Sequence, residues 1–181
     1  MDQDTLLGLL RTSKQTFLSS FAGISDADSR KHPGENCWSV LDTVEHLTAA
    51  EGVMLRLITE TRCKKQEDLP NRERLFLAVL TDRRRKMESP ESGKPQGRFA
   101  NLEEAAAQFT SSRDQAIQFV EQCKEDLGET QVTHPHSAAG TVSTREMVII
   151  MARHAERHAL QIEEIKTTLG LHAGKTAGSQ G

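Results

Sequence analysis

Apolar residues recur at three- and four-residue steps in four long stretches of this 181-residue chain, the spacing of amphipathic helices. The first, residues 4–22, carries Leu6, Leu7, Leu10, Phe17, Leu18 and Phe21, and closes at Gly23 and the polar run SDADSRKHPGEN. The second runs from Val40 to Arg62 behind Ser39, an N-cap with Asp42 three residues on. Its face is Val40, Leu41, Val44, Leu47, Met54, Leu55 and Ile58. The third opens at Asn101 with Glu104 and runs along Leu102, Ala106, Phe109, Ala116, Val120, Cys123 and Leu127 to Gly128, interrupted by Arg113. The fourth starts at a capping box, Ser143 with Glu146, and carries Met147, Ile150, Met151, Ile162, Ile165 and Leu169 before Gly170 stops it.

Between the second and third stretches the pattern weakens. Leu75, Leu77, Val79 and Leu80 mark a shorter helix, and ESPESGKPQGRFA is a loop rich in Pro, Gly and Ser. The cluster Arg83, Arg84, Arg85 and Lys86 is most simply a solvated face. No stretch makes a convincing strand. The pattern therefore predicts an all-α four-helix bundle with a long crossover connection between helices two and three. Residues 1–170 are expected to form the domain and residues 171–181 a disordered tail.

Composition narrows the function classes. A net charge of -3 and a pI near 6.2 give no electrostatic case for nucleic acid or an anionic membrane surface. No apolar run approaches the roughly 20 residues of a membrane span, and MDQDTLLGLL lacks a signal pattern. Cys37, Cys63 and Cys123 form no CxxC and leave an odd thiol, which suits a reducing cytoplasm.

The candidate chemistry lies in histidines. His154 and His158 sit in the middle of the fourth apolar stripe, one turn apart and within roughly 40° of each other around the helix. Gln161 falls on the same face. Imidazoles in place of Leu or Ile must find hydrogen-bond partners, stay neutral or bind an ion; satisfied core histidines are the plainer alternative. His46 lies at the edge of the second stripe and converges on the pair if those helices are neighbours. Three imidazoles then hold a divalent ion with open positions, as a catalytic site requires. Nitrogen ligation suits Zn, Ni, Cu or Fe better than Mg or Ca. Glu51 projects near the centre of the second apolar face. An ion pair with an arginine is the simpler expectation for it, and a role as base beside the ion the second. A Glu-x-x-His pair on each of two helices, HExxH, a nucleophile elbow, a P-loop and a Rossmann fingerprint are all absent.

Two segments resemble a known family. CWSVLDTVEHLTAAE, with Trp38, Ser39 and His46-Leu47, looks like the first conserved segment of the DinB-like four-helix-bundle superfamily. HPHSAAGTVSTREMVIIMARHAERHALQI resembles its second, in which His-Pro precedes the last helix and His-x-x-x-His-x-x-Gln-Ile lies within it. One departure follows His134-Pro135: the chain reads His136-Ser137-Ala138-Ala139-Gly140 where relatives tend to show an aromatic and Gly sooner. The resemblance implies a divalent metal on His46, His154 and His158, water in the remaining positions, and a homodimer. It also implies a choice of reactions, because the superfamily holds bacillithiol- and mycothiol-dependent enzymes beside presumed metal-dependent hydrolases.

The expected function is a cytoplasmic metal-dependent enzyme, a hydrolase or a low-molecular-weight-thiol S-transferase, acting on a small molecule with Zn, Ni or Fe as the ion. His134 or His136 is the first candidate for proton transfer and Glu51 the second. The alternative is a non-catalytic binding or dimerisation bundle in which the His cluster is structural. A structural ion would want a fourth protein ligand, and none is evident at helix spacing.

Overall fold

The computed structural model describes residues 1–66, 69–84, 89, 91–134 and 139–171. Arg85, Lys86, Pro135, His136 and the expected tail from His172 onward lie outside the described residues. Four long helices form the bundle: α1 (Gln3–Ser20), α3 (Val40–Arg56), α5 (Leu102–Gln122) and α6 (Thr144–Leu169). The short helices α2 (Asp26–Ser29) and α4 (Glu73–Val79) lie in the connections. No helix among the described residues is long and apolar enough to cross a membrane.

The caps act where the side chains require. Asp2 accepts from the Thr5 amide to open α1, and Asn101 from the Glu104 amide to open α5. Ser39 with Asp42 and Ser143 with Glu146 form reciprocal capping boxes on α3 and α6. Gly170 ends α6 at φ 66°, a left-handed conformation in which a Cβ is unfavourable.

Two ends differ from the periodicity. Beyond Arg56 the second helix continues as a π turn, Leu57–Thr61, where the Thr59 and Thr61 hydroxyls donate to the carbonyls of Leu55 and Leu57. The third helix stops at Gln122, short of Gly128. Leu127 is still buried, but it turns inward against the start of α6, where its carbonyl accepts from the Arg145 amide. A small antiparallel sheet, order β1-β2-β3, is a further departure from pure helix. It joins Cys63–Lys64 (β1), Thr130–Thr133 (β2) and Thr141–Ser143 (β3), pairing Gln131 with Cys63 on one side and Ser143 on the other.

The packing order follows from the shared cores. Leu6, Leu7 and Leu10 of α1 meet Met54 and Ile58, Ala116 and Val120, and α6 residues 147–152 at one end. Phe17 and Phe21 meet Val40 to Leu47, Leu102 to Phe109, and Ala155 to Ile165 at the other. So α1 runs parallel to α6, α3 parallel to α5, and the two pairs are antiparallel. Within the bundle α1 packs on α5 and α6, and α3 on the same two. Helices consecutive in the chain are thus diagonal at both short connections, while the parallel neighbours α3 and α5 need a connection that returns along the whole bundle. That is the long crossover. Burying each large apolar side chain in these cores contributes roughly 1.5–3 kcal/mol before entropy is counted.

Candidate metal centre

The antiparallel contact of α3 with α6 brings His46 to the His154/His158 pair. One ring nitrogen from each of the three lies within 4.8 Å of the others, the one such convergence of His, Cys, Asp or Glu among the described residues that could hold an ion. The rings meet edge to face, with His46 4.7 Å from His158 and 5.3 Å from His154 between centroids. His46 and His158 are buried, and His154 keeps partial access to solvent.

Each ring is oriented from behind. His46 Nδ1 lies 2.6 Å from the carbonyl oxygen of Gly93, on the crossover, so it carries the proton and leaves Nε2 as the lone pair. Trp38 packs on the same ring, 4.8 Å between centroids. His158 Nδ1 is 3.0 Å from Gln161 Oε1, an oxygen that also accepts from Arg83 at 3.4 Å. The guanidinium fixes the amide orientation, so His158 Nδ1 is the donor and its Nε2 the lone pair. The Nε2 atoms of His158 and His154 are 2.9 Å apart. Two nitrogens each about 2.0–2.1 Å from one ion lie roughly 2.9–3.4 Å apart, so the pair already has the separation of two ligands.

Charge favours the neutral, ligating form. Burial holds all three imidazoles below their ordinary value, and His154 and His158 well below it. For His154 the charges of His46, His134, Arg157 and Arg113 act in the same direction, and for His158 those of His154, His46 and Arg83. At His46 the Gly93 carbonyl pulls the other way and Arg98 adds to burial. Three neutral imidazoles with Nε2 turned inward fit a borderline divalent ion.

The other expected residues fall differently. Glu51 is fully buried and stands in the ion pair that was its simpler expectation. Both of its oxygens accept from Arg113, Oε1 from Nε and Oε2 from Nη2 at 3.0 Å. His134, half-buried at the end of β2, donates its amide to Gly140 across the loop, and its charge is felt at His154. His136 lies outside the described residues. Of the basic cluster, Arg84 pairs with Asp82, while Arg83 pairs with Glu164 and donates to Gln161 behind His158, so Arg83 backs the site rather than only facing solvent. A groove on the outer side of α1 and α6, lined by Thr12, Thr16, Arg153 and Glu156 among others, carries none of the three histidines.

Two contributors were missed. Gly93 acts through a backbone carbonyl, which has no sequence signature. Glu45, buried beside His46, accepts from the amides of Gln96, Gly97 and Arg98; a carboxylate next to an apolar stripe was the available signal.

The model of the DinB superfamily matches residues 9–162, and the chain belongs to that superfamily. It is 25% identical over 148 residues to the uncharacterized protein YuaE of Bacillus subtilis strain 168, covering 80% of this chain and 86% of that one. The fold is similar to YfiT from Bacillus subtilis, described as a probable metal-dependent hydrolase with an unusual four-helix bundle topology. That match has a TM-score of 0.61 at 13% identity, over 94% of this chain and 89% of YfiT.

Proposed function

We propose that this DinB-superfamily chain is a metal-dependent enzyme acting on a small molecule, with a divalent transition ion (Zn, Ni or Fe) on His46, His154 and His158. The observation that carries the reading is the convergence of three neutral imidazoles from two antiparallel helices, with no fourth carboxylate or thiolate in the group among the described residues. A structural ion wants a closed set of four ligands; three leave room for a reactant. An ion held there supplies Lewis acidity, which acidifies a nucleophile and polarises a carbonyl or leaving group.

The chain's own groups do the rest. Gly93 and Gln161 hold His46 and His158 in the ligating tautomer. Partial exposure at His154 leaves a path for solvent or substrate. His134 is the residue we assign to proton transfer, from its place at the end of β2, where its charge acts on His154. Glu51 takes no part in proton transfer in this reading, because Arg113 occupies both of its oxygens. Hydrolysis comes first, since it needs only the ion and water, and YfiT, of similar fold, carries that description. Transfer to a low-molecular-weight thiol is the second reaction to screen, and a homodimer, read by sedimentation, belongs to the same proposal.

The test is metal content by elemental analysis of untagged protein beside His46→Ala and His154→Ala. Near one equivalent of Zn, Ni or Fe in the wild type, lost in both variants, is the expected result. An absence of metal, or metal that survives either substitution, sinks the three-His centre.

A further inference from the structure

We infer that Glu45 is a positioning residue of the metal centre: by clamping the crossover onto α3, it sets the tautomer in which His46 can ligate. The inference rests on the metal reading above and adds to it a residue outside the ligand set.

Glu45 precedes His46 on α3 and is only 2% exposed. Its carboxylate is filled by the crossover: Oε1 accepts from the Gln96 amide at 2.6 Å, and Oε2 from the Gly97 and Arg98 amides at 3.0 and 3.1 Å. The Arg98 guanidinium adds a fourth bond at 2.9 Å and also reaches the Lys94 carbonyl at 3.3 Å. Successive amides converge on one anion only where the backbone forms a concave nest. Gly97 supplies the required left-handed residue, at φ +72°.

The same segment carries the orienting carbonyl. Lys94 closes a turn back onto Glu91, and Gly93, inside that turn, presents its oxygen to His46 Nδ1 at 2.6 Å. Glu45 therefore holds the segment three residues beyond the atom that decides which imidazole nitrogen is protonated. A histidine side chain free in water favours the proton on Nε2, the nitrogen that must be bare to bind the ion. Without the clamp the Gly93 carbonyl is no longer held against Nδ1, and His46 reverts towards that tautomer.

The experiment reads the ring directly in metal-free protein. Imidazole 15N shifts of His46 in the wild type are expected to show a protonated Nδ1 and a bare Nε2. In Glu45→Gln that pattern is expected to collapse towards the opposite tautomer while the His154 and His158 signals hold. Affinity for Zn2+, by calorimetry, is expected to fall about 10–100-fold. An unchanged His46 tautomer and Zn2+ affinity, with the amides of residues 96–98 newly open to hydrogen exchange, overturns the inference. If Glu45→Gln does not fold, Gly97→Ala decides, because a Cβ there meets nothing within 4 Å and strains only the nest. The same shift at His46 supports the clamp, and none overturns it. A wild type that binds no Zn2+ defeats the metal reading, while the tautomer measurement still decides what Glu45 does.

Discussion

Glu51 and His46 lie little more than one turn apart on α3, and each belongs to a polar cluster inside the bundle. Around Glu51 every group is saturated. The five N–H bonds of Arg113 reach Glu51 twice, the Leu10 carbonyl at 3.1 Å, Ser13 Oγ at 2.6 Å and the Met151 carbonyl at 3.1 Å. One guanidinium on α5 thereby ties α1, α3 and α6 at the level where the two apolar cores meet. Around His46 the outer nitrogens of two rings are satisfied and the inner ones face one another. The first cluster is electrically closed and has nothing left to offer a ligand. The second keeps its lone pairs turned inward, where an ion can use them. Burial alone does not mark a functional site; what separates the two is whether the partners already present exhaust the donors and acceptors.

The largest effect should come from opening the closed cluster. Arg113→Met strands a buried carboxylate and should cost about 3–5 kcal/mol in urea unfolding. The double variant Glu51→Leu/Arg113→Met should recover most of that loss, since it leaves no unpaired charge. A single variant within about 1 kcal/mol of wild type would mean that the pair does not close this cluster.

The open cluster should reveal itself through pH. Its imidazoles are held below the ordinary value of about 6.5 in the folded protein, so below that pH the unfolded chain binds more protons. Their contribution is fully present above about pH 6.5 and is lost as pH falls through the lowered folded values. The slope reaches up to about 1.4 kcal/mol per pH unit for each group protonated only on unfolding. Unfolding of metal-free protein at pH 7.5 and 5.5, beside His154→Gln, measures it, and a profile as flat in the wild type as in the variant would break the contrast.

The smallest effect sharpens the contrast at one ring. Gln161→Leu removes the oxygen behind His158 but no ligand, and should weaken metal binding about tenfold with stability nearly unchanged. Trp38, the chain's single tryptophan, packs on His46 and should report ion binding through its fluorescence. Equal affinity in wild type and variant would show that Arg83 and Gln161 do not orient His158.

Much of this was legible along the chain because its signals are local. The 3.6-residue period exposed the four helices, Ser39 and Ser143 announced two of their starts, and Gly170 an end, since caps act within one turn. The same period placed His154 and His158 on one face, and an acid in the middle of an apolar stripe demanded a cation, which Arg113 supplies. Two helix ends and the small sheet escaped. Leu127 could be buried on a helix or by a turn, and strands of two to four residues carry too few positions to show alternation.

The sequence by itself determined the helices, their buried faces and the spacing of the histidine pair, all consequences of backbone geometry over a few residues. Only the tertiary structure decided that α3 and α6 are antiparallel neighbours, which makes His46 the third member of the group. It also decided that the crossover brings a glycine carbonyl and three backbone amides to positions 46 and 45. Those contacts join residues some fifty positions apart through atoms that every amino acid shares. Their formation depends on the route of the connection and on the packing of two cores, and neither leaves a mark on local periodicity.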